Sequence, residues 1–342
     1  MWLENWRERN RTWRALHLYS VPHDKVSVLR QLVTEALADM SINVLVLEIG
    51  YGFDFQSHPE LADAKGLTAT DAHLLTELCH QHDIRLIPLF NCLGHQSWAG
   101  ETFALLKKYP EFDETPHIGP TNEGIYCREW CPLHPDVNGI VFELVDEIIE
   151  AFDADAFHVG MDEVFLIGDV KCPRCNGKDV AELFAKAVND YHSHLVKKRN
   201  LEMLMWGDRL LDAKATGYGD WEASSTSSHR AVDLIPKDII LCDWHYEIRD
   251  DYPSVRFFQQ KGFRVLPATW NKPDAALALL RCAQKDATDR MLGMLFTGWG
   301  EGPAGEKLLP VLLGRKDLPE SSDSAKGVAT AMKLCLKELA TT

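Results

Sequence analysis

The sequence predicts a single (β/α)₈ barrel, the TIM-barrel class of α/β folds, from two features of its pattern. Short apolar segments rich in β-branched residues recur along the chain, and amphipathic helical patterns lie between them. Eight such segments alternating with helices favour a barrel over an open sheet. The length of 342 residues suits one barrel with insertions, so we expect a single domain over residues 1–342.

The predicted strands and helices follow in order along the chain. The strands are residues 15–20, 42–49, 84–91, 156–161, 202–208, 238–244, 264–270 and 292–299. Helical spacing of apolar residues covers 25–40, 137–152 and 179–199, and an extra helix is predicted at 323–339. The longest interval separates the third and fourth strands. It contains residues 114–136, which are rich in turn formers and aromatic residues, and we predict that they form an inserted active-site loop.

The net charge and the cysteine content of the chain indicate which partners and which cellular compartment to expect. The chain has 36 Lys and Arg against 51 Asp and Glu, and the formal charge of −15 argues against nucleic acid and anionic membranes as partners. No apolar run is long enough to span a membrane, and the N-terminus lacks the apolar core of a secretion signal. Nine cysteines without an export signal predict a reduced, cytoplasmic protein with mostly free thiols.

Two adjacent carboxylates end the fourth predicted strand. In the segment AFHVGMDEVF (156–165), a glycine and a methionine lead directly to Asp162 and Glu163. Like charges this close push their pKa values apart, which suits a general acid beside an ionised helper. The structural alternative is a helix N-terminus, where acidic residues are common.

Other polar and aromatic residues follow the remaining strands at the same predicted rim. Such a set suits a neutral sugar, because aromatic faces stack on pyranose rings and ionic groups bind hydroxyls. Taken singly, these residues also fit a buried structural histidine, a carboxylate paired with a cation, or core packing. The candidate binding residues are His17, Glu48, His95, Trp206, Asp208, Trp244, Tyr246, Trp299 and Glu301.

The cysteines and histidines raise the question of a metal. Cys172 and Cys175 have zinc-ligand spacing, and Cys131 could join them, with Cys127 and His134 also upstream. The upstream spacing is irregular, so we expect free thiols, no cofactor, and a protein that folds and acts without added metal, with zinc as the alternative. No H-E-x-x-H pattern indicates a metallohydrolase, and the HSH segment (192–194) is predicted to lie on a solvated helix face.

Several motifs together resemble glycoside hydrolase family twenty, the β-N-acetylhexosaminidases. FHVGMDEVF is similar to the His-x-Gly-x-Asp-Glu signature of that family, and the likeness is closest to its compact hexosaminidase D branch. The segments HLYS, LVLEIGYGF, LIPLFNCLGH, LMWGDRLLD, WHY and FTGWGEG occur in the order that the family uses. The resemblance implies an exo-acting enzyme on terminal β-linked N-acetylglucosamine or N-acetylgalactosamine.

The resemblance also implies roles for individual residues. Retention in this family is substrate-assisted: the 2-acetamido oxygen attacks the anomeric carbon and gives an oxazolinium intermediate. Glu163 would be the acid and then the base, and Asp162 would hold the acetamide N–H. The pocket wall around the N-acetyl methyl would be formed by Trp206, Trp244 and Trp299. Tyr246 would donate a hydrogen bond to the acetamide oxygen. Hydroxyl binding or support of the carboxylate pair would fall to His95, Asp208 and Glu301.

The chain departs from the larger branch of this family at two places. His17-Leu18-Tyr19 stands where that branch has a sugar-binding Arg, and TWNKPD stands where it has its acetamide Tyr. Two alternatives therefore stay open. One is a same-fold glycosidase acting on another amino sugar or a disaccharide unit, and the other is a non-catalytic sugar-binding barrel.

Overall fold

Eight parallel strands close into a barrel in the computed structural model, which describes residues 2–19, 21–315 and 322–340. Each strand pairs with the next along the chain, and the eighth closes on the first. The (β/α)₈ prediction is thereby confirmed. The strands are Trp13–Tyr19, Val44–Glu48, Arg85–Cys92, Ala156–Gly160, Glu202–Trp206, Ile240–Trp244, Arg264–Thr269 and Gly293–Gly298.

Helices cover the outside of the barrel in the described part of the chain. The longer ones are Trp2–Arg9, Val26–Leu32, Ala69–Gln81, Val137–Ala151, Val180–His192, Pro253–Gln260, Pro273–Lys285 and Asp323–Leu339. Short α-helices are Ala104–Lys108, Ala213–Thr216, Gly219–Glu222 and Leu308–Leu312, and π-helical turns at Val33–Leu37 and Ser193–Lys198 extend two of the longer helices. The 3₁₀ segments are His23–Lys25, Pro59–Leu61, Pro110–Phe112, Asp208–Leu210, Ser227–Asp233 and Pro303–Gly305.

Local sequence explains where several helices begin. Thr68 caps Ala69–Gln81 through a capping box with Asp71, and the Asp179 side chain accepts hydrogen bonds from the first-turn amides of Val180–His192. The fifth strand is followed by short turns instead of a long helix. Gly217 and Gly219 there have φ of 72° and 80°, a backbone conformation that breaks helical continuity.

The strands have two buried faces, as expected for a barrel wrapped by helices. Alternate residues of the strands point into the lumen, where they form one apolar cluster. Its members include Ala15, Val44, Val46, Ile87, Leu89, Leu204, Ile240, Leu266 and Leu295. The opposite faces pack against the helices in a second, larger cluster. The lumen is therefore filled with side chains, so a ligand site has to lie at one of its ends.

The amino-terminal end of the barrel is closed by the first helix. Trp6 and Trp13 are buried there, and each ring centroid lies 5.5 Å from the Arg85 guanidinium carbon. Arg85 is 1% exposed and pairs with Asp155 at 2.6 Å and Glu202 at 2.7 Å. A buried cation with two acidic partners and two aromatic faces stabilises this end. The site must therefore lie at the carboxyl ends of the strands.

The segment between the third and fourth strands is ordered around a buried arginine. It holds a small hairpin, Ser97–Trp98 with Glu101–Thr102, and then the predicted loop 114–136. Arg128 is 4% exposed, pairs with Asp113, and donates to Asn122 Oδ1 at 2.6 Å and to the carbonyl of Gly119 at 2.6 Å. The loop therefore has a polar core of its own and can hold fixed side chains beside the barrel mouth.

Two expectations from the sequence need correction. The helix Asp323–Leu339 packs against the eighth strand and the helix Pro273–Lys285, so it takes the place of the eighth barrel helix and is not extra. His192 and His194 are buried, and they pair with Asp238 at 2.8 Å and Asp146 at 2.6 Å. The Nε2 atom of each ring pairs with a carboxylate on a neighbouring element, so the HSH segment does not form a solvated face. Residue 20, the end of the first predicted strand, lies outside the described residues.

Membrane-crossing helices are not found in the described ranges, where every helix is too short or too polar to span a bilayer.

Candidate active site

The backbone leaves its extended form where the fourth strand ends, and this turn brings Asp162 and Glu163 to the same side. Neighbouring residues of a strand point to opposite faces. Here Gly160, Met161 and Glu163 have φ of 66°, 73° and 50°. A Cβ on Gly160 would lie 2.0 Å from the amide oxygen of Asn91, so a glycine is required. Left-handed backbone at non-glycine positions such as Met161 and Glu163 is costly and is found mainly at functional sites.

His95 joins the two carboxylates. Its Nε2 lies 3.2 Å from Asp162 Oδ2 and 3.2 Å from Glu163 Oε2. Burial alone would lower the pKa of His95, but the adjacent carboxylates outweigh it and hold this pKa well above its usual value. Burial likewise opposes ionisation of Asp162, and the charge of His95 holds the pKa of that carboxyl below its usual value. A protonated His95 therefore relieves the repulsion within the pair and keeps Asp162 ionised.

Asp162 keeps one oxygen free. The residue is 8% exposed, and its Oδ1 is buried without a hydrogen-bond partner among the described residues. A buried, ionised oxygen without a donor is costly unless a ligand supplies one. Asp162 is thus arranged to accept a hydrogen bond from a bound molecule.

Asp208 holds the backbone that carries Glu163. Its Oδ2 accepts from the Glu163 amide at 3.0 Å and from Arg209 Nε at 2.6 Å, and its Oδ1 accepts from Trp244 Nε1 at 3.3 Å. Burial raises the pKa of Asp208 to about 6, with Arg209 opposing the rise and Asp162 adding to it. Asp208 is a positioning residue in this structure, which agrees with the predicted support of the pair.

Asp208→Asn should lower kcat roughly 10–100-fold with little change in KM, because the amide cannot accept from all three donors and Glu163 loses its alignment. Steady-state kinetics measures the split, and circular dichroism checks the fold. Asp212→Asn is the matched control, because the Asp212 side chain caps a short helix and pairs with His229 instead of holding Glu163. A kcat within twofold of the unmutated protein would contradict the positioning role.

Aromatic side chains surround the space beside the carboxylates. Trp206 is 1% exposed and lies 5.8 Å from Trp299 between ring centroids, while Trp244 stacks on Tyr246 at 5.0 Å. Trp299 Nε1 donates to the Tyr246 hydroxyl at 2.8 Å. The predicted wall residues are brought together, with Trp206 as the buried floor and the others at the sides.

Three predicted binding residues are buried and make contacts with other residues of the fold. His17 is fully buried, lies 4.3 Å from the Trp299 ring, and places Nε2 3.2 Å from Glu48 Oε2. Glu48 therefore pairs with His17 and not with Arg14, whose guanidinium Nε donates to the carbonyl of Ser41. Glu301 is also fully buried.

The two oxygens of Glu301 are both occupied within the fold. They accept from the amide of Gly300 at 2.8 Å and from Ser324 Oγ at 2.6 Å. Glu301 thus links the end of the eighth strand to the C-terminal helix, and its role in hydroxyl binding stays a prediction.

The chain was then compared with known proteins. The model of "Glycosyl hydrolase family 20, catalytic domain" matches residues 33–302, well over half of the chain. The chain belongs to glycosyl hydrolase family 20. The family prediction is confirmed, whereas the hexosaminidase D-like branch within it stays a prediction. A search of curated proteins found no significant match.

Solved structures of family 20 share the fold at low identity. A chitobiase from Flavobacterium johnsoniae is 20% identical with a TM-score of 0.64, over 96% of this chain and 51% of that one. A Vibrio harveyi exo-β-N-acetylglucosaminidase in complex with N-acetylglucosamine is 16% identical, with a TM-score of 0.58 over 97% and 58%. Dispersin B is 15% identical, with a TM-score of 0.56 over 96% and 98%. The chain spans about half the length of the Flavobacterium chitobiase.

One residue of this family 20 site was missed from the sequence. Tyr126, from the inserted loop, places its ring 6.0 Å from that of His95, and burial together with the charge of Glu163 raises the pKa of its phenol. The signal available was its place in GIYCREW, within the loop predicted to reach the active site. Cys127 beside it contacts the Glu163 carbonyl at 3.8 Å, so Cys127 belongs to this site and not to the cysteine cluster.

A buried charge network anchors the segment carrying Trp244 and Tyr246. His245 between them is fully buried, pairs with Glu222 and lies 3.1 Å from Asp243. Burial opposes protonation, but the two carboxylates outweigh it and raise the pKa of His245 from 6.5 to about 9. The network therefore holds a charged imidazolium at neutral pH.

This shift predicts a pH-dependent stability. Because the pKa of His245 is higher in the folded protein than in the unfolded chain, its protonation stabilises the fold. This contribution to the unfolding free energy is complete below pH 6.5 and is lost as the pH rises through about 9. We expect roughly 3 kcal/mol of unfolding free energy to disappear over that window. Urea unfolding should show that the difference between the unmutated protein and His245→Gln shrinks with pH. A difference that stays constant from about pH 6 to about pH 10 would contradict the charged network.

Proposed function

We propose that this family 20 protein is an exo-acting β-N-acetylhexosaminidase that cleaves terminal β-linked N-acetylglucosamine or N-acetylgalactosamine by substrate-assisted, retaining catalysis. The observation that carries the proposal is the free, buried Oδ1 of an ionised Asp162 next to Glu163. A retaining enzyme with its own nucleophile needs two carboxylates on separate sides of the bond. Asp162 and Glu163 are adjacent and both contact His95. This arrangement fits a mechanism in which Glu163 acts on the glycosidic bond and Asp162 acts on the acetamide.

In the first step Glu163 gives its proton to the glycosidic oxygen while the bond from that oxygen to the anomeric carbon breaks. The substrate's acetamide oxygen forms the new bond to the anomeric carbon, giving the oxazolinium ion. Asp162 accepts a hydrogen bond from the acetamide N–H, which orients the carbonyl and stabilises the positive charge that develops. In the second step water attacks the same carbon, Glu163 takes its proton, and the acetamide is restored.

The surrounding groups suit the acetamide. Trp206, Trp244 and Trp299 enclose a space for the methyl group. Because Trp299 donates to the Tyr246 oxygen, the Tyr246 proton is available for the attacking carbonyl oxygen. Hydrogen bonding to that oxygen fixes the near-attack geometry.

A second aromatic group suits the leaving group. The Tyr126 ring lies 5.4 Å from Trp98 and 4.9 Å from Trp221, and both tryptophans are about half exposed. Tyr126 also contacts Glu163, so this surface begins at the leaving oxygen. We propose that it stacks on the sugar or other group released by cleavage.

Assays with aryl glycosides test the function. We expect turnover of aryl N-acetyl-β-glucosaminide or N-acetyl-β-galactosaminide and none of the plain β-glucoside, which lacks the acetamide nucleophile. Turnover only of another amino sugar or a disaccharide glycoside would favour a same-fold glycosidase. Binding without turnover would favour the sugar-binding barrel.

Further features of the protein belong to the same proposal. We propose one catalytic domain over residues 1–342, in the hexosaminidase D-like branch, located in the cytoplasm, with a carbohydrate as its partner and neither nucleic acid nor membrane. The acidic charge of −15 and nine cysteines that form no disulfide in the described residues support these points. Titration of thiols in denaturant should find most of them free, and several disulfides would point to secretion instead.

A further inference from the structure

Three cysteines and a glutamate meet between the inserted loop and the segment after the fourth strand. Cys131 and Glu114 come from the loop, and Cys172 and Cys175 come from the later segment. One carboxylate oxygen and the three sulfurs all lie within 4.8 Å of one another. All four residues are fully buried.

The sulfur separations fit a shared metal ion and exclude a disulfide in this structure. Cys131 Sγ lies 3.4 Å from Cys175 Sγ and 3.6 Å from Cys172 Sγ. A disulfide needs about 2.05 Å. Sulfurs bound to one tetrahedral zinc at about 2.3 Å stand about 3.8 Å apart. The observed distances are close to that spacing.

Glu114 supplies an independent observation. Its Oε1 accepts from the amides of Gly168 and Asp169 at 2.8 and 3.1 Å, which fixes the carboxyl group. Its Oε2 is buried without a hydrogen-bond partner in the described ranges. Neither Lys nor Arg pairs with Glu114 among those residues. A buried carboxylate without a cationic partner beside three thiols suits a metal ligand, because a bound cation would offset the cost of its burial.

We propose that Glu114, Cys131, Cys172 and Cys175 form a structural zinc site. Three thiolates and one carboxylate give a four-coordinate, closed shell, which is typical of structural zinc and leaves no position for a substrate. Hard divalent ions such as Mg²⁺ are disfavoured by the thiolates. This proposal differs from our sequence-based expectation of unliganded thiols, because Glu114 could not be placed beside the C-x-x-C pair from spacing alone.

The site would connect two segments that shape the catalytic centre. Its ligands join residues 114–131, which carry Tyr126, to the segment 161–175, which begins at the carboxylates. Glu129 makes a parallel contact by accepting from the Leu166 amide at 2.6 Å. Zinc binding therefore contributes to the folding of this region and to the placement of Glu163.

Metal analysis of the full-length purified protein tests the proposal. We expect about one zinc per chain after gel filtration without added metal, because structural sites of this kind bind tightly. Cys175→Ala should lower the zinc content at least about tenfold. Cys335→Ala is the matched control, because Cys335 is equally buried in a helix away from the cluster, and it should keep its zinc.

Cobalt exchange provides a second readout, which does not depend on whether a variant folds well. Replacing zinc with Co²⁺ in the unmutated protein should produce thiolate-to-cobalt charge transfer and the visible bands of a tetrahedral site. Zinc below about a tenth of an atom per chain with no such spectrum would overturn the proposal. So would a disulfide between any two of the three cysteines in the freshly purified protein. Neither result depends on whether the enzyme cleaves the proposed sugars.

Discussion

Glu163→Gln is expected to lower kcat/KM most strongly on substrates with poor leaving groups. Such alkoxides depart only with a proton, and glutamine cannot supply one. A positioned general acid is worth about 10²–10⁴-fold, so a sugar leaving group should show the upper part of that range. An activated aryl group leaves with less proton help, and the defect should shrink there. A Brønsted plot over a series of aryl leaving groups measures the effect.

The structure supplies the control for this experiment. Tyr126→Phe removes the phenol hydroxyl near Glu163 but keeps the acid, so its leaving-group slope should stay near that of the unmutated protein. If Glu163→Gln showed the same loss for every leaving group, Glu163 would not be the acid.

Asp162→Asn is expected to lower the rate on every leaving group alike, by roughly 10²–10³-fold, the effect of losing a preorganised electrostatic contact. The asparagine has lost the negative charge that would stabilise the oxazolinium ion. It also removes one of the two carboxylates that hold His95 in its charged form. Activity should be measured on the same aryl series as for Glu163→Gln.

Two results would contradict this role of Asp162. One is a leaving-group dependence as steep as that of Glu163→Gln, which would show that the roles are reversed. The other is the formation of a glycosyl azide product when azide is added to Asp162→Asn. Such rescue by azide is typical of an enzyme whose own nucleophile has been removed.

The barrel strands could be predicted because each carries its own signal. The segment INVLVLEI, for example, contains the unbroken apolar run Val44–Leu47 and gives a buried strand at Val44–Glu48. The same regularity placed Asp162 and Glu163 at a strand end. Their shared contact with His95 depends on left-handed residues that have no periodic signal, so the sequence could indicate the residues but not their geometry.

Residues on the inserted loop were harder to place. Tyr126 and Glu114 reach the catalytic segment because the loop folds around Arg128, and that path depends on contacts far apart in sequence. Glu301 was predicted at the rim from its strand end. Its contacts with Ser324 on the C-terminal helix and with the Gly300 amide could not be predicted from the sequence. A strand end locates a side chain at the rim without determining which way it faces.

Progressive fluorination of the acetamide methyl tests whether the nucleophile belongs to the substrate. Each fluorine withdraws electron density from the carbonyl oxygen and leaves the glycosidic bond and the sugar hydroxyls in place. If that oxygen attacks the anomeric carbon, kcat/KM should fall steeply and in order from the acetyl to the trifluoroacetyl aryl glycoside. A rate that stays constant across the series would show that the acetamide does not attack, and the substrate-assisted mechanism would be wrong.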